Sequence, residues 1–187
     1  MFTQTASNQF PDTLSSIPTN ELLVVYDAGP GRLRASLGGL DEREVTAFPI
    51  PGKWSIKEIA VHLVDSEIIG AGRIRRVLTQ PGTALDFYDQ DISTKALRHN
   101  EQSSEDLQNT LRAFEALRKI SGALFRAATV DDWNKTGIHY NYGNISLRRL
   151  LELYADHSER HIDQILERRR LLGNIVAIEP ILSVRLY

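Results

Sequence analysis

The chain has 187 residues, which suits one domain with a hydrophobic core of its own. It contains no cysteine, which excludes disulfides, iron–sulfur clusters, thiolate zinc sites and a cysteine nucleophile, so imidazole and oxygen must bind any metal. The formal net charge of −2 gives no reason to expect a nucleic-acid partner, because such a partner usually requires a basic surface.

Residues 1–18 are rich in Ser, Thr, Asn and Gln and predict an N-terminal arm. They have neither the basic nor the apolar stretch of a signal peptide. No apolar run in the sequence reaches the length needed to cross a bilayer. We therefore expect a cytoplasmic protein that binds neither membrane nor nucleic acid.

The main domain is predicted over residues 19–170, and its first segment has an interrupted helical pattern. Apolar side chains recur with helical spacing over 20–37, but a Gly-Pro-Gly run at 29–31 breaks the pattern. Proline removes a backbone donor from a helix. The segment therefore predicts either one kinked helix or two short ones.

The second helix has the clearest start signal in the chain. Ser55 followed three residues later by Glu58 is the pattern of a capping box. The helix that it opens should continue to about Thr79. A polar loop at 88–91 and a short helix before His99 are expected to follow.

A third long helix is predicted from a cap at Ser103 or Ser104 to about Ala128. Trp133, in the connection after it, is expected to pack into the bundle. The apolar stripe of this helix consists of Leu107, Leu111, Phe114, Leu117, Ile120 and Leu124.

The last long helix is predicted from Asn144 or Ser146 to about Arg170. We find no pattern typical of a strand. Three long amphipathic helices and the interrupted first one predict an all-α fold, a four-helix bundle. The apolar tail at 171–187 should pack on the bundle or on a dimer partner.

The histidines are the residues most typical of a site. His157 and His161 are four residues apart, so on a helix they share one face and can reach one metal ion. Ser158 stands where the zinc-peptidase motif has its glutamate, and Glu159 points to nearly the opposite side. His62 is the best third ligand, because it lies on the apolar face of the second helix, where a buried imidazole needs a partner.

The alternatives for these histidines are ordinary ones. By itself a pair of histidines one helical turn apart is more often coincidence, or a hydrogen-bonded core pair, than a metal site. His99 lies in a polar loop and is expected to be solvated. His139 lies in an aromatic loop, where it could line the mouth of a pocket.

Two segments resemble the motifs of a known family, the DinB-like superfamily. Residues 53–67, KWSIKEIAVHLVDSE, look like its first motif, and residues 154–165, YADHSERHIDQI, look like its second. The resemblance extends over about 20–170 with compatible spacing. One departure is the Ile92-Ser93 pair, near which the family usually has a tryptophan.

The resemblance implies a four-helix bundle with crossed, up-down-down-up connectivity and a metal at one end of the core. The family's ligand positions match His62, His157 and His161. The metal is expected to be a divalent ion, with nickel or zinc first and iron or manganese as alternatives. The resemblance also implies a homodimer and a metal-dependent enzyme, either a hydrolase or a transferase that uses a low-molecular-weight thiol.

Three imidazoles with open coordination positions are typical of a catalytic metal, which can lower the pKa of bound water to about 7 or bind a thiol as thiolate. Asp65 and Asp156 could each accept a ring N–H of a ligand, although both could equally be surface acids. Arg73 returns to nearly the same face as His62 and could bind an anionic substrate, or be solvated.

Two classes of function remain open at this point. One is a metal-dependent enzyme that acts on a small molecule. The other is a bundle protein that binds a metal or ligand without turnover. Thiol-dependent consumption of an electrophile, abolished by a chelator, would separate the two.

Overall fold

The structure, a computed structural model, describes residues 10–182 and 184–186. The chain is organised around four long helices. In chain order the elements are α1 (Thr19–Leu37), α2 (Glu42–Thr46), α3 (Ile56–Thr79), α4 (Gln90–Ala96), a 3-10 turn (His99–Glu101), α5 (Ser104–Ala127), α6 (Val130–Asn134), β1 (Thr136–His139), β2 (Gly143–Ser146) and α7 (Leu147–Leu171).

Side-chain caps begin the last three long helices where the sequence predicts them. Ser55 and Glu58 form the expected capping box at the start of α3. Ser103 forms a second capping box before α5, and the Ser146 hydroxyl accepts a hydrogen bond from a backbone N–H in the first turn of α7. Each cap satisfies donors that have no partner inside the helix.

Two clusters of buried apolar side chains occupy the two ends of the bundle. One cluster takes its members from the beginnings of α1 and α7 and the ends of α3 and α5, and the other from the opposite ends of these helices. Thus α1 and α7 run one way and α3 and α5 the other, which confirms the all-α, up-down-down-up bundle. Representative members are Leu22, Val77, Phe125 and Leu150 of the first cluster and Leu33, Ile59, Leu107 and Ile165 of the second.

The order of the helices around the bundle explains the connections between them. Both α1 and α3 pack against α5 and α7, so the α1–α3 and α5–α7 connections each cross one end of the bundle. Because α3 and α5 are parallel neighbours, segment 80–103 must return along the length of the bundle. We call this segment, which contains α4, the crossover segment.

The first segment is one helix, α1, that contains Pro30, so the alternative of two short helices is excluded. Two details differ from the sequence analysis. The expectation of no strand was wrong, because β1 and β2 pair as an antiparallel hairpin. Ile120 is 52% exposed rather than part of the α5 stripe, and Arg118 is buried in its place.

The tail and part of the arm lie against the bundle in the described residues. Leu182 and Leu186 are buried in one core cluster together with Leu14. The backbone N–H of Ile181 donates to Glu159 at 3.2 Å. The rest of the predicted arm, residues 1–9, and residues 183 and 187 of the tail lie outside the described residues. No described helix is both long enough and apolar enough to cross a membrane.

The helices α3 and α7 approach each other closely where Gly70 faces Tyr154. A Cβ atom on Gly70 would lie 2.5 Å from the tyrosine ring. We expect Gly70→Ala to lower the free energy of unfolding by about 1–3 kcal/mol, because the ring or the helices must move. Urea unfolding measures the change.

Gly31 is the matched control for this substitution. It is exposed in α1, and a Cβ atom there meets nothing within 4 Å. Gly31→Ala should raise the free energy of unfolding by about 0.5–1 kcal/mol, because alanine loses less backbone entropy in a helix. Two variants of equal stability would contradict the close approach of α3 and α7.

Candidate metal centre

Three histidines meet inside the bundle, where the first half of α3 packs against the middle of α7. The capping box begins α3 so that His62 lies on its buried face, and the four-residue spacing places His157 and His161 on the face of α7 that meets α3. The Nε2 atom of His157 lies 3.2 Å from Nε2 of His62 and 3.0 Å from Nε2 of His161. Tertiary packing thus brings together the three residues that the sequence analysis selected.

This donor set fits a divalent metal ion. One ligand atom from each histidine lies within 4.8 Å of the other two. Nitrogen ligands about 2.0–2.1 Å from a tetrahedral zinc ion would be about 3.3 Å apart, close to the observed separations. In the described part of the chain, this is the one group of three or more such side chains that could hold a metal.

The electrostatic environment keeps all three imidazoles neutral, which is the form that binds metals. Burial lowers the pKa of His62 from 6.5 to about 2, assisted by the charges of His161 and His99. Burial lowers the pKa of His161 to about 4, against the opposing effect of its hydrogen bond with Gln164. Burial also lowers the pKa of His157 well below its usual value.

Metal binding at this site should therefore resist acid. Protons compete for the imidazoles only near the pKa of His161, about 4, whereas an exposed imidazole with a pKa of about 6.5 is mostly protonated by about pH 5.5. We expect bound metal to be retained at about pH 5.5 and released near pH 4. Metal content after dialysis at each pH measures this, with circular dichroism to show that the chain is folded. A release midpoint near the ordinary imidazole pKa would contradict it.

The outer ring nitrogens of two of these histidines contact neutral groups. Nδ1 of His62 lies 3.1 Å from the Tyr88 hydroxyl, and Nδ1 of His161 lies 2.9 Å from Oε1 of Gln164. The Trp54 ring lies 4.7 Å from the His62 ring and stacks at 6.2 Å on the His161 ring. Tyr88 and Gln164 therefore stand where a group that orients a ligand is needed.

The two carboxylates expected in this role have other partners. Asp65 lies 2.7 Å from Nε2 of His99, and His99 is fully buried, so the prediction that it is solvated was wrong. Asp156 lies 2.9 Å from Nε of Arg160 and accepts the backbone N–H of Leu186 at 3.2 Å. Helical spacing identified the correct elements for these acids but not their neighbours.

Arg73 and His139, whose roles the sequence left open, are both buried and have defined partners. Arg73 is buried and donates two hydrogen bonds to the Asp86 carbonyl, at 2.6 and 3.1 Å, and one to the Tyr154 hydroxyl at 3.2 Å. Its guanidinium therefore holds the crossover segment rather than facing a substrate. His139 is buried between the rings of Tyr140 and Tyr142, and burial lowers its pKa to about 3.

A buried polar network connects the four long helices, and the sequence analysis missed it. Arg118 on α5 donates to Glu67 on α3 at 2.8 Å, to the backbone carbonyl of Tyr26 on α1 at 2.9 Å, and to the Ser158 hydroxyl on α7 at 2.7 Å. The other Glu67 oxygen accepts the Tyr26 hydroxyl at 2.5 Å. The sequence contains one sign of this network: Arg118 follows Phe114 by four residues and therefore lies on the apolar stripe of α5.

The fold and site together define a class, a crossed four-helix bundle with a buried three-histidine cluster between α3 and α7. Within that class the chain belongs to the DinB superfamily, whose sequence profile matches residues 7–165. The family resemblance seen in the two motifs is thereby confirmed.

Several known proteins are similar to this chain. One from Oceanobacillus iheyensis, named a "putative metal-dependent hydrolase", is 24% identical over 157 residues, which are 84% of this chain and 89% of that protein. YfiT from Bacillus subtilis, which bears the same description, is 23% identical over 163 residues, or 87% and 90% of the two chains.

Solved structures support the fold. The YfiT structure, described as having an unusual four-helix bundle topology, superposes with a TM-score of 0.80 at 21% identity and covers 90% of this chain and 95% of YfiT. A mycothiol-dependent maleylpyruvate isomerase superposes with a TM-score of 0.67 at 14% identity, covering 82% of this chain and 62% of the isomerase.

Proposed function

We propose that this protein is a metal-dependent enzyme that acts on a small molecule, with one divalent ion bound by His62, His157 and His161. The observation that carries the proposal is the convergence of three imidazole Nε2 atoms, 3.0 and 3.2 Å apart, in a buried site. Three neutral nitrogen ligands leave coordination positions open, as a catalytic site requires. The descriptions of the relatives as metal-dependent hydrolases agree with this proposal.

The reaction that we propose is thiol transfer or hydrolysis. A divalent ion held here would supply a Lewis acid that polarises an electrophile or favours deprotonation of a water or thiol. The protein's own part is to supply three neutral donors and to exclude water on one side with the Trp54 ring. The thiol dependence of the isomerase with a similar fold supports a low-molecular-weight thiol as cosubstrate.

The donor set also bears on which metal is bound. A site of three imidazoles suits nickel, zinc or iron better than magnesium or calcium, which prefer oxygen ligands. We therefore propose nickel or zinc first, with iron or manganese as alternatives. A homodimer and a cytoplasmic location stay predictions, and light scattering on the purified protein measures the first of them.

The alternative is a bundle protein that binds metal or ligand without turnover. One observation favours it, namely that the acid between the two histidines of α7 in sequence has a different partner. Glu159 is buried and paired with Arg32 at 2.6 Å, so it is not free to act as a general base. An enzyme at this site must therefore rely on the metal for most of its chemistry.

Turnover assays on the metal-loaded protein separate these functions. Chlorodinitrobenzene with glutathione, cysteine or mycothiol tests thiol transfer, and p-nitrophenyl acetate tests hydrolysis. The enzyme proposal requires turnover that a chelator abolishes, that the metal restores and that His157→Ala lacks. Stoichiometric metal without turnover on any of these substrates would favour the binding protein, and absence of metal binding would overturn both.

A further inference from the structure

We propose that Tyr88 is a positioning residue for this metal centre. Its phenol oxygen accepts the Nδ1–H of His62 and so holds that imidazole in the tautomer whose Nε2 lone pair faces the metal. The inference rests on the proposed function, because it gives His62 the role of ligand. It concerns a residue of the crossover segment, remote in sequence from all three histidines.

The two ring nitrogens of His62 face different neighbours. Nδ1 lies 3.1 Å from the Tyr88 hydroxyl, and Nε2 points to the other side, 3.2 Å from Nε2 of His157. The His62 and Tyr88 rings are within 15° of parallel, with centroids 5.9 Å apart. One nitrogen therefore faces the ligand cluster and the other faces the phenol.

A neutral imidazole carries one ring proton. With that proton on Nδ1, the lone pair is on Nε2 and can bind a metal. With the proton on Nε2, the same ring would present an N–H to the metal. His62 is only 1% exposed, so water cannot readily satisfy Nδ1–H, and an unpaired donor there is costly. The Tyr88 oxygen removes this cost in the metal-binding tautomer.

Hydrogen bonds fix the backbone of Tyr88 and of the residues on both sides of it. Before it, Arg73 binds the Asp86 carbonyl with two hydrogen bonds. At Tyr88 itself, the backbone carbonyl accepts the Tyr140 hydroxyl at 2.8 Å. After it, the Asp89 carboxylate caps α4 by accepting two backbone N–H groups, at 2.9 and 3.1 Å. A phenol held in this way loses little further entropy when it orients His62.

Through these hydrogen bonds the crossover segment holds Tyr88 beside His62 and so contributes to the proposed metal centre. Arg73, which the sequence left as either a substrate-binding or a solvated side chain, is buried and acts instead through the backbone that carries Tyr88. The role of Tyr88 parallels that of Gln164, whose side-chain oxygen contacts Nδ1 of His161. The difference is that Gln164 is one turn from its histidine on the same helix, whereas Tyr88 reaches His62 from another element.

The test compares wild type, Tyr88→Phe and Tyr142→Phe. Tyr88→Phe removes the phenol oxygen and keeps the ring. Tyr142→Phe makes the same change on a ring that packs on Phe10 and His139. Zinc and cobalt affinities come from competition with a chelating dye. The His62 tautomer in the metal-free protein comes from long-range proton–nitrogen NMR spectra at neutral pH.

We expect Tyr88→Phe to weaken zinc and cobalt binding by about 10- to 100-fold, the usual effect of losing a group that orients a ligand. We expect its His62 signals to move away from a pure Nδ1–H tautomer, and Tyr142→Phe to match wild type in both respects. Unchanged affinity together with an unchanged tautomer in Tyr88→Phe would overturn the inference, as would a wild-type His62 protonated on Nε2.

The two measurements also distinguish failure of this inference from failure of the proposed function. If wild type binds neither metal, the proposed function fails. The part of the inference that concerns the hydrogen bond is then decided by the tautomer alone. A tautomer that shifts in Tyr88→Phe supports that hydrogen bond, and one that does not shift overturns it.

Discussion

Replacing His62 by alanine is expected to abolish stoichiometric metal binding. His157 and His161 would be left as two ligands on one helix, without the nitrogen that α3 supplies 3.2 Å from His157. Removal of a group that only orients a ligand weakens metal binding by about 10- to 100-fold. The loss of affinity in His62→Ala should be larger, because a ligand itself is removed. Elemental analysis of the purified protein, and of protein reconstituted with nickel, zinc or iron, measures the effect.

His139→Ala is the matched control for this substitution. His139 is also a buried histidine with a lowered pKa, but it packs between two tyrosine rings of the hairpin and lies outside the three-histidine cluster. It should retain one ion per chain. Equal metal content in wild type and the His62 variant would remove His62 from the ligand set. Absence of metal from all three proteins would instead make the cluster a buried polar group of the core.

Replacing Arg118 by alanine should strongly destabilise the bundle. Arg118 and Glu67 are 2% and 1% exposed in their side chains, so the substitution leaves a buried carboxylate without its cation. The cost of breaking a buried pair in this way is about 3–5 kcal/mol. It is large against a total free energy of unfolding of about 5–15 kcal/mol. Urea unfolding followed by circular dichroism measures it.

Lys119→Ala, at the next residue, provides the comparison for Arg118→Ala. Lys119 pairs with Glu115 at 2.7 Å, but both side chains are well exposed, and such surface pairs contribute about 0–1 kcal/mol. A double variant, Glu67→Gln with Arg118→Met, removes both charges and should recover part of the lost stability. If Arg118→Ala is no less stable than Lys119→Ala, the buried pair does not stabilise the bundle.

The long helices and the members of the three-histidine cluster could be predicted from the sequence because both depend largely on local signals. Ser55 with Glu58 determines where α3 begins, and thereby which face of the helix carries His62. The four-residue spacing of His157 and His161 places both on one face of α7 whatever surrounds them. The motifs of the DinB superfamily then related these two helices to each other, which spacing alone could not do.

The partners of the side chains around the three histidines could not be predicted where those partners belong to other segments of the chain. Asp65 follows His62 by three residues and shares its side of α3, yet its carboxylate lies against His99, which was expected to be solvated. Asp156 is next to His157 in sequence, but it binds the backbone of the tail at Leu186. Helical periodicity indicates on which face of its helix a residue lies, but it does not indicate which distant segment of the chain covers that face.

The sequence by itself determined the caps, the extents of the long helices, the crossed bundle through its family motifs, and the identity of the three histidines. Only the tertiary structure decided which groups complete the site and the core. The crossover segment brings Tyr88 to His62, and the packing of four helices closes the network of Arg118, Glu67, Tyr26 and Ser158. The physical reason is that caps and periodicity act within one or two helical turns. A hydrogen bond between α3 and residue 88, or between α5 and α1, exists only after the chain has folded.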